Sequence, residues 1–281
     1  MGKKIINSNL KIIYEPEASV YHYHGIHQNL DYKRANNIAK IMENIDDDNY
    51  FKKNINLEDL KISCLIPSKG LTKINSEKDL LEYTLKEASN CKYIKDIFVA
   101  TDNKDMIKLK NELKVKDVFF RPAHLSEEYI SIIEVIDFIL EQVETKYYLP
   151  DLVVIMDPTH PFRPLNIVSD MLKKLITNGS DSIIAVKTEL RKLWQIKSGE
   201  STKISEEDFL PRQFRSDKIL ISLLGLCFIT YPKFIRDTSM FGKKLETFEL
   251  DSPLSSLQLR EEKDIKEIGK FLETWIQNRN K

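Results

Sequence analysis

The sequence predicts an α/β protein, a single domain with a mostly parallel sheet covered by helices on both faces, preceded by a small N-terminal extension. Three observations lead there. From Lys61 onward, short apolar runs of strand length alternate with segments whose apolar residues recur at helical spacing. The runs Ile62–Ile66 and Leu152–Met156 are continuously apolar, as strands buried on both faces are. Several runs end in polar, turn-forming loops, and loops leaving the carboxyl ends of such strands are where open α/β sheets bind ligands.

Residues 1–60 form the extension. Ile12-Ile13-Tyr14 and Ser19-Val20-Tyr21 are strand-like, a helix is expected from Asp31 to about Asn44, and the polar run Asn44–Asn56 reads as a linker. His22 and His24 would share one face of a strand, which is acceptable metal geometry, but no third ligand accompanies them and a structural role is the simpler reading.

Residues 61–281 form the main domain. Its first strand, Ile62–Ile66, runs through Pro67 into Ser68-Lys69-Gly70, with Lys73 and Asn75 following. Gly70 permits close backbone approach and the two lysines supply positive charge, so a nucleotide phosphate is the natural ligand. The alternative is an ordinary lysine-bearing connection, since neither G-x-x-x-x-G-K-[ST] nor G-x-G-x-x-G is present. Glu77–Ser89 reads as a helix with Ser76 as N-cap. Asp96–Ala100 is a strand whose Thr101-Asp102-Asn103 turn caps a helix over 104–113. A short strand, Val118–Phe120, leads to Arg121, and Ile130–Val143 is a strongly apolar-faced helix. After strand Leu152–Met156, the prolines at 158, 161 and 164 stiffen the loop carrying Asp157, Thr159 and Arg163, as a ligand-shaping wall requires. Leu165–Ile176 is a helix stopped by Asn178-Gly179, and Ser182–Val186 is a strand. Lys187–Lys218 is irregular, an arm or a substrate flap. The chain closes with a strand over Ile219–Thr230, a short helix at Pro232–Arg236, a strand at Glu246–Leu250 and a helix over Glu261–Gln277.

Bulk properties exclude several classes. Lys+Arg and Asp+Glu are equal at 43 each, with no basic stripe, so nucleic acid is not the expected partner. No apolar run approaches the roughly 18 residues that span a bilayer, so neither a signal peptide nor a membrane anchor is expected. Cys64, Cys91 and Cys227 are widely spaced, which fits free thiols in a reducing cytoplasm rather than a zinc ribbon or disulfide framework.

Taken in order, IPSKGLTKIN, VATDN, Arg121-Pro122-Ala123, DPTHPFRP, DSIIAV, Pro211-Arg212-Gln213 and LGLCFI resemble the acylneuraminate cytidylyltransferases, the CMP-sugar synthetases that activate sialic-acid-like nonulosonic acids. The resemblance covers about Ile62 to Ile268. It implies a Rossmann-like, GT-A-type nucleotide-binding domain, a homodimer, and Mg2+-dependent transfer of CMP from CTP to the anomeric hydroxyl of a sugar acid. Lys69 and Lys73 are then the catalytic candidates, because cations stabilise charge on the transferring phosphate and the leaving pyrophosphate. Ser68, Lys69, Gly70, Asn75, Thr101, Asp102 and Arg121 become the nucleotide-binding set, and Asp157, Thr159, Arg163 and Gln213 the substrate-binding set. Asp102 also reads as a helix cap, and Arg121 and Arg163 equally as surface ion-pair partners.

The active-site motifs are degenerate. The first loop is shorter than the family's and lacks its arginine, Asp157 stands for a glutamine and Leu224 for an asparagine, and Gln258-Leu259-Arg260 replaces the family's D-x-D pair. Two carboxylates two apart on a strand can grip one Mg2+, whereas glutamine and arginine cannot, so the metal ligands stay unassigned. Glu261, Glu262 and Asp264 read as the acidic first turn of the last helix. A relative that binds a nucleotide or a partner without catalysis is therefore the alternative function. Separately, YEPEASVYHYHG within residues 12–25 resembles the end of a family 2 glycosyltransferase domain, without the upstream strands and acidic motif of a whole one.

Overall fold

The computed structural model describes residues 56–70, 79–109, 113–127, 129–204 and 218–279. The N-terminal extension with His22 and His24, the expected cap Ser76, and Lys73, Asn75 and Gln213 lie outside these residues. The elements in order are β1 (Ile62–Ser68), α1 (Leu80–Asn90), β2 (Ile94–Thr101), β3 (Val115–Phe120), α2 (Ile132–Lys146), β4 (Leu152–Ile155), α3 (Ile167–Asn178), β5 (Ser182–Glu189), β6 (Trp194–Lys197), β7 (Glu200–Lys203), β8 (Ile219–Ser222), β9 (Phe228–Thr230), α4 (Pro232–Arg236), β10 (Leu245–Glu249) and α5 (Glu262–Arg279).

One mixed sheet runs β3-β2-β1-β4-β9-β5-β10, with β8 also paired to β5. The pairs β1–β2, β2–β3, β1–β4 and β5–β10 are parallel, while β9 lies antiparallel between β4 and β5. Every residue of β1 is buried, which explains its unbroken apolar sequence. Alternate side chains divide the core. Ile62, Cys64 and Ile66 pack with α1 and α3 on one face, and Leu65 packs with Val135, Ile136, Ile139 and Leu140 of α2 on the other. Burying each of these aliphatic side chains contributes roughly 1.5–3 kcal/mol, so both helical layers are held mainly by this contact with the sheet. No helix among the described residues is long and apolar enough to cross a membrane.

Four expectations change. The α1 helix begins at Leu80, with the Asp79 carboxylate accepting the Leu81 N–H at 2.8 Å. The helix expected over 104–113 is a 3-10 turn, Lys104–Leu109, in which Met106 is the buried anchor, too little apolar face to hold an α-helix. The strand expected over Ile219–Thr230 is two, β8 and β9, broken by a turn in which the Leu226 N–H returns to the Leu223 carbonyl. A Cβ on Gly225 in that turn would lie 2.5 Å from His160 Nδ1, so only glycine lets the two segments meet. The irregular 187–218 stretch contains the rest of β5 and the separate β6–β7 hairpin.

Arg163 also departs from expectation. It is 1 % exposed, and its guanidinium is spent on the protein itself. Nε donates to the Leu226 carbonyl at 2.8 Å, Nη1 to Thr84 Oγ1 at 3.0 Å, and Nη2 to the carbonyls of Asp157 at 2.5 Å and Gly225 at 3.1 Å. Neither a sugar carboxylate nor a surface partner can reach it. Burial pulls its pKa down to about 10. Replacing it by methionine keeps much of the bulk and strands these acceptors. Arg163→Met is therefore expected to lower unfolding stability by about 3 kcal/mol, read from the urea midpoint, and a loss below about 1 kcal/mol would contradict this role.

Candidate active site

The chain passes from β1 to β2 on one side and reaches β4 on the other, so β1 sits where the strand order reverses. A ligand crevice belongs outside the carboxyl ends at that point. Ser68 closes β1, Thr101 closes β2, Arg121 follows β3 and Asp157 follows β4. A cleft of about 350 Å³ opens there. Its polar side is made by Ser68, Lys69, Arg121, Asp157, Thr159 and Arg260, and its apolar wall by Leu125, Ile130, Ile132 and Val135.

Gly70, Thr101 and Asp102 do not contribute to that lining; they brace it. Gly70 takes a positive φ of 70°, and its N–H donates to Asp102 Oδ1 at 2.9 Å, which ties the β1 loop to the end of β2. Asp102 is thus not a helix cap. Asn103 does that work, its Oδ1 accepting the Asp105 N–H at 3.0 Å. The Thr101 hydroxyl accepts the Asn103 N–H at 3.1 Å and is fully buried, so it shapes the turn.

Two buried polar atoms of the cleft, Ser68 Oγ and Arg121 Nε, have no partner among the described residues. Ser68 is 2 % exposed and its Oγ makes no hydrogen bond among the described residues. Arg121 is fixed through its backbone, the N–H donating to the Thr101 carbonyl at 3.0 Å, while Nη2 reaches the Ala100 carbonyl at 3.4 Å and the buried Nε meets no acceptor among the described residues. Burial lowers the Arg121 pKa, and the nearby carboxylates of Asp102 and Asp157 oppose that shift. A half-buried guanidinium with donors to spare is a receptor for an oxyanion.

The opposite wall is the 157–163 turn. Asp157 Oδ1 accepts the Thr159 N–H at 2.8 Å, and Thr159 Oγ1 lies 3.3 Å from His160 Nδ1. The segment after β10 docks on this turn: Gln258 Nε2 donates to Thr159 Oγ1 at 3.2 Å and the Leu259 N–H to the Thr159 carbonyl at 2.8 Å. Arg260 thereby enters the cleft. Sequence reasoning missed the apolar wall, the lining Glu127, the brace Thr84 and the need for glycine at 225. The spacing of Leu125, Ile130 and Ile132 fits any helix start, and Thr84 meets Arg163 across 79 residues.

His160 is 7 % exposed, and burial, reinforced by the charges of Arg163 and Arg260, pushes its pKa down to about 3. The folded protein holds it neutral, whereas the unfolded chain binds a proton near pH 6.5. Between those values the unfolded state carries more protons, so this contribution to stability is complete above about pH 6.5 and is lost as pH falls towards 3. Urea midpoints at pH 6.5 and 4.5 are expected to show His160→Gln removing on the order of 2 kcal/mol of the acid-induced loss. An identical loss in the variant would show that His160 titrates normally.

The Cytidylyltransferase family profile matches residues 63–209, from β1 past the β6–β7 hairpin. A pseudaminic acid cytidylyltransferase of Campylobacter jejuni subsp. jejuni serotype O:23/36 is 24% identical over 134 residues, 45% of this chain and 58% of that protein. The chain thus spans little more than half the length of that relative. A post-translational flagellin modification protein B of Campylobacter coli is 24% identical over 192 residues, 66% of this chain and 80% of that one. Among solved structures, the 2-C-methyl-D-erythritol 4-phosphate cytidylyltransferase of Francisella tularensis superposes with a TM-score of 0.56 at 13% identity, covering 75% of this chain and 99% of that one. A CMP:2-keto-3-deoxy-manno-octonic acid synthetase complexed with CTP gives 0.54 at 10% identity, covering 78% and 99%. At these identities the structures share the fold. Since the profile spans more than half of the 281 residues and begins on the strand that anchors the cleft, the chain belongs to the cytidylyltransferase family.

Proposed function

We propose that the protein transfers CMP from CTP to the anomeric hydroxyl of a nonulosonic, sialic-acid-like sugar acid. The observation that carries this reading is Arg121, a half-buried guanidinium whose Nε is unmatched among the described residues, lining the cleft beside the sheet's switch point. The sugar hydroxyl would attack the α-phosphorus and release its proton to solvent, while the bond from the α-phosphorus to the oxygen bridging it to the β-phosphate would break and pyrophosphate would leave with that oxygen. Negative charge then grows on the α-phosphate and on the leaving group, which is where fixed cations act most strongly. Lys69 and Arg121 fill that role in the cleft, Ser68 Oγ offers a hydrogen bond to a phosphate oxygen, and Gly70 is held in reach by Asp102. Lys73 and Asn75 extend the same loop in sequence. Asp157 and Thr159 face the cleft from the β4 side and are assigned to the acceptor sugar, with Gln213 joining them on sequence grounds.

The resemblance implies Mg2+ held by an acidic pair. The residues here do not fit that role: Gln258 is bonded to Thr159 and Arg260 brings positive charge into the cleft. Among the described residues no three His, Cys, Asp or Glu are grouped to hold a metal. This replacement favours the second reading, a relative that binds nucleotide without turnover. The three buried free thiols, Cys64, Cys91 and Cys227, fit a reducing cytoplasm.

We also propose a homodimer, which the exposed apolar face of the β6–β7 hairpin supports. Trp194 and Ile196 are 61 % and 74 % exposed and, two apart on β6, share one face. A two-stranded hairpin is marginally stable alone, so a second copy is the natural cover for this face. The double variant Trp194→Asp and Ile196→Asp is expected to sediment as a monomer where the parent is a dimer, and a monomeric parent would remove the proposal.

For the activity, pyrophosphate release from CTP is measured with pseudaminic, N-acetylneuraminic and 3-deoxy-manno-octulosonic acids as acceptors. Acceptor-dependent release, reduced about 100-fold by Arg121→Ala and poorly restored by Arg121→Lys, is expected, because lysine cannot make the bidentate fork. CTP binding without release selects the second reading, and absence of CTP binding overturns both.

A further inference from the structure

We infer that Arg260 grips the phosphates of the nucleotide, so that cations of the protein itself, rather than a divalent ion, set nucleotide affinity in this cleft. The inference rests on the reading of the cleft as a nucleotide site. Three observations support it.

The first is rigid presentation. Leu259 is 1 % exposed and packs with Leu80, Phe162, Ile265 and Leu272. Its N–H and the Gln258 amide both bond to Thr159, and upstream Ser255 Oγ donates to the Phe162 carbonyl at 3.1 Å. With Leu259 buried, the next side chain points away from the core, and Arg260 lines the cleft. The second is an unspent charge. Arg191, Arg236 and Arg279 each pair with a glutamate, whereas no carboxylate among the described residues forms an ion pair with Arg260. The third is an incomplete polar lining of the same cleft, where Ser68 Oγ is buried without a partner among the described residues. Lys69, Arg121 and Arg260 line the same cleft as Glu127 and Asp157, and one oxygen of Asp157 is already taken by the Thr159 N–H. Such a set lacks the converging carboxylates that would draw a cation but presents two planar forks to phosphate oxygens.

The test is titration calorimetry of the full chain with CTP and with inorganic pyrophosphate, each in EDTA and in excess Mg2+. The parent is expected to bind CTP in EDTA within about threefold of its affinity in Mg2+, and Arg260→Gln to weaken binding in EDTA by about tenfold or more. Arg260→Lys is expected to recover only part, and it stands in if the glutamine variant does not fold. Affinity in the parent that falls more than about tenfold without Mg2+ overturns the inference, as does unchanged affinity in the variants. If CTP binds equally to parent and variants, the inference alone fails and the cytidylyltransferase reading stands. If pyrophosphate binds through Arg260 but CTP does not bind, both that reading and the inference fail, and the cleft is an oxyanion site of another kind. Binding of neither overturns both.

Discussion

Carbonyl oxygens of Asp157, Gly225 and Leu226 converge in the interior from two different turns, and one buried guanidinium, that of Arg163, satisfies all three while reaching Thr84 on α1. Without a donor such as this, turns of this kind would have to open to water, since a buried acceptor without a partner costs about 1–3 kcal/mol. The 157–163 turn carries Asp157 and Thr159 into the cleft, and the 223–227 turn feeds β9 between β4 and β5. The cleft's far wall and the antiparallel insertion in the sheet therefore share one fastening. His160 against Gly225 completes it by shape rather than charge.

Arg163 and Arg121 are the same residue type put to opposite uses. Arg163 is enclosed and has acceptors for four of its five N–H donors; Arg121 is anchored through its main chain and keeps an Nε with no acceptor among the described residues. Folding a protein with unmatched polar groups lowers stability, and such groups gather where a ligand supplies the missing partner. The Ser68 hydroxyl, unpartnered among the described residues, belongs to the same pattern. Asp102, by holding the Gly70 N–H, spends a carboxylate on loop geometry.

Much of this was legible in the sequence. Parallel strands buried on both faces write themselves as unbroken apolar runs, and Ile62–Ile66 and Leu152–Met156 fall within or beside β1 and β4. Helix α2 announces its apolar stripe, and Gly179 ends α3 in the left-handed conformation its position suggested. Ser68, Lys69, Arg121, Asp157 and Thr159 do come together, because strand-end loops of a parallel sheet point the same way. The rest depended on distant contacts. Nothing local tells that Arg163 turns inward to meet carbonyls 62 and 63 residues away, or that Asp102 reaches a glycine 32 residues earlier instead of capping its own turn. The division of Ile219–Thr230 into β8 and β9 follows from the fit of Gly225 against His160, which hydrophobic pattern does not encode. Arg260 was visible as a substitution, but its entry to the cleft needed the docking of Leu259.

His160, kept uncharged in the cleft's far wall, has a consequence for how binding responds to acidity. The imidazole is the one side chain whose ordinary ionisation falls between pH 5 and 8, and here it has been taken out of that range, while guanidinium groups stay protonated throughout it. The arginines of the cleft thus present a constant charge over the range in which a terminal phosphate gains its last negative charge, near pH 6. On the proposed reading of the cleft as a nucleotide site, acid sensitivity in this part of it is a property of the incoming ligand: the protein would offer a fixed electrostatic ruler, against which a more highly ionised phosphate would be held more tightly.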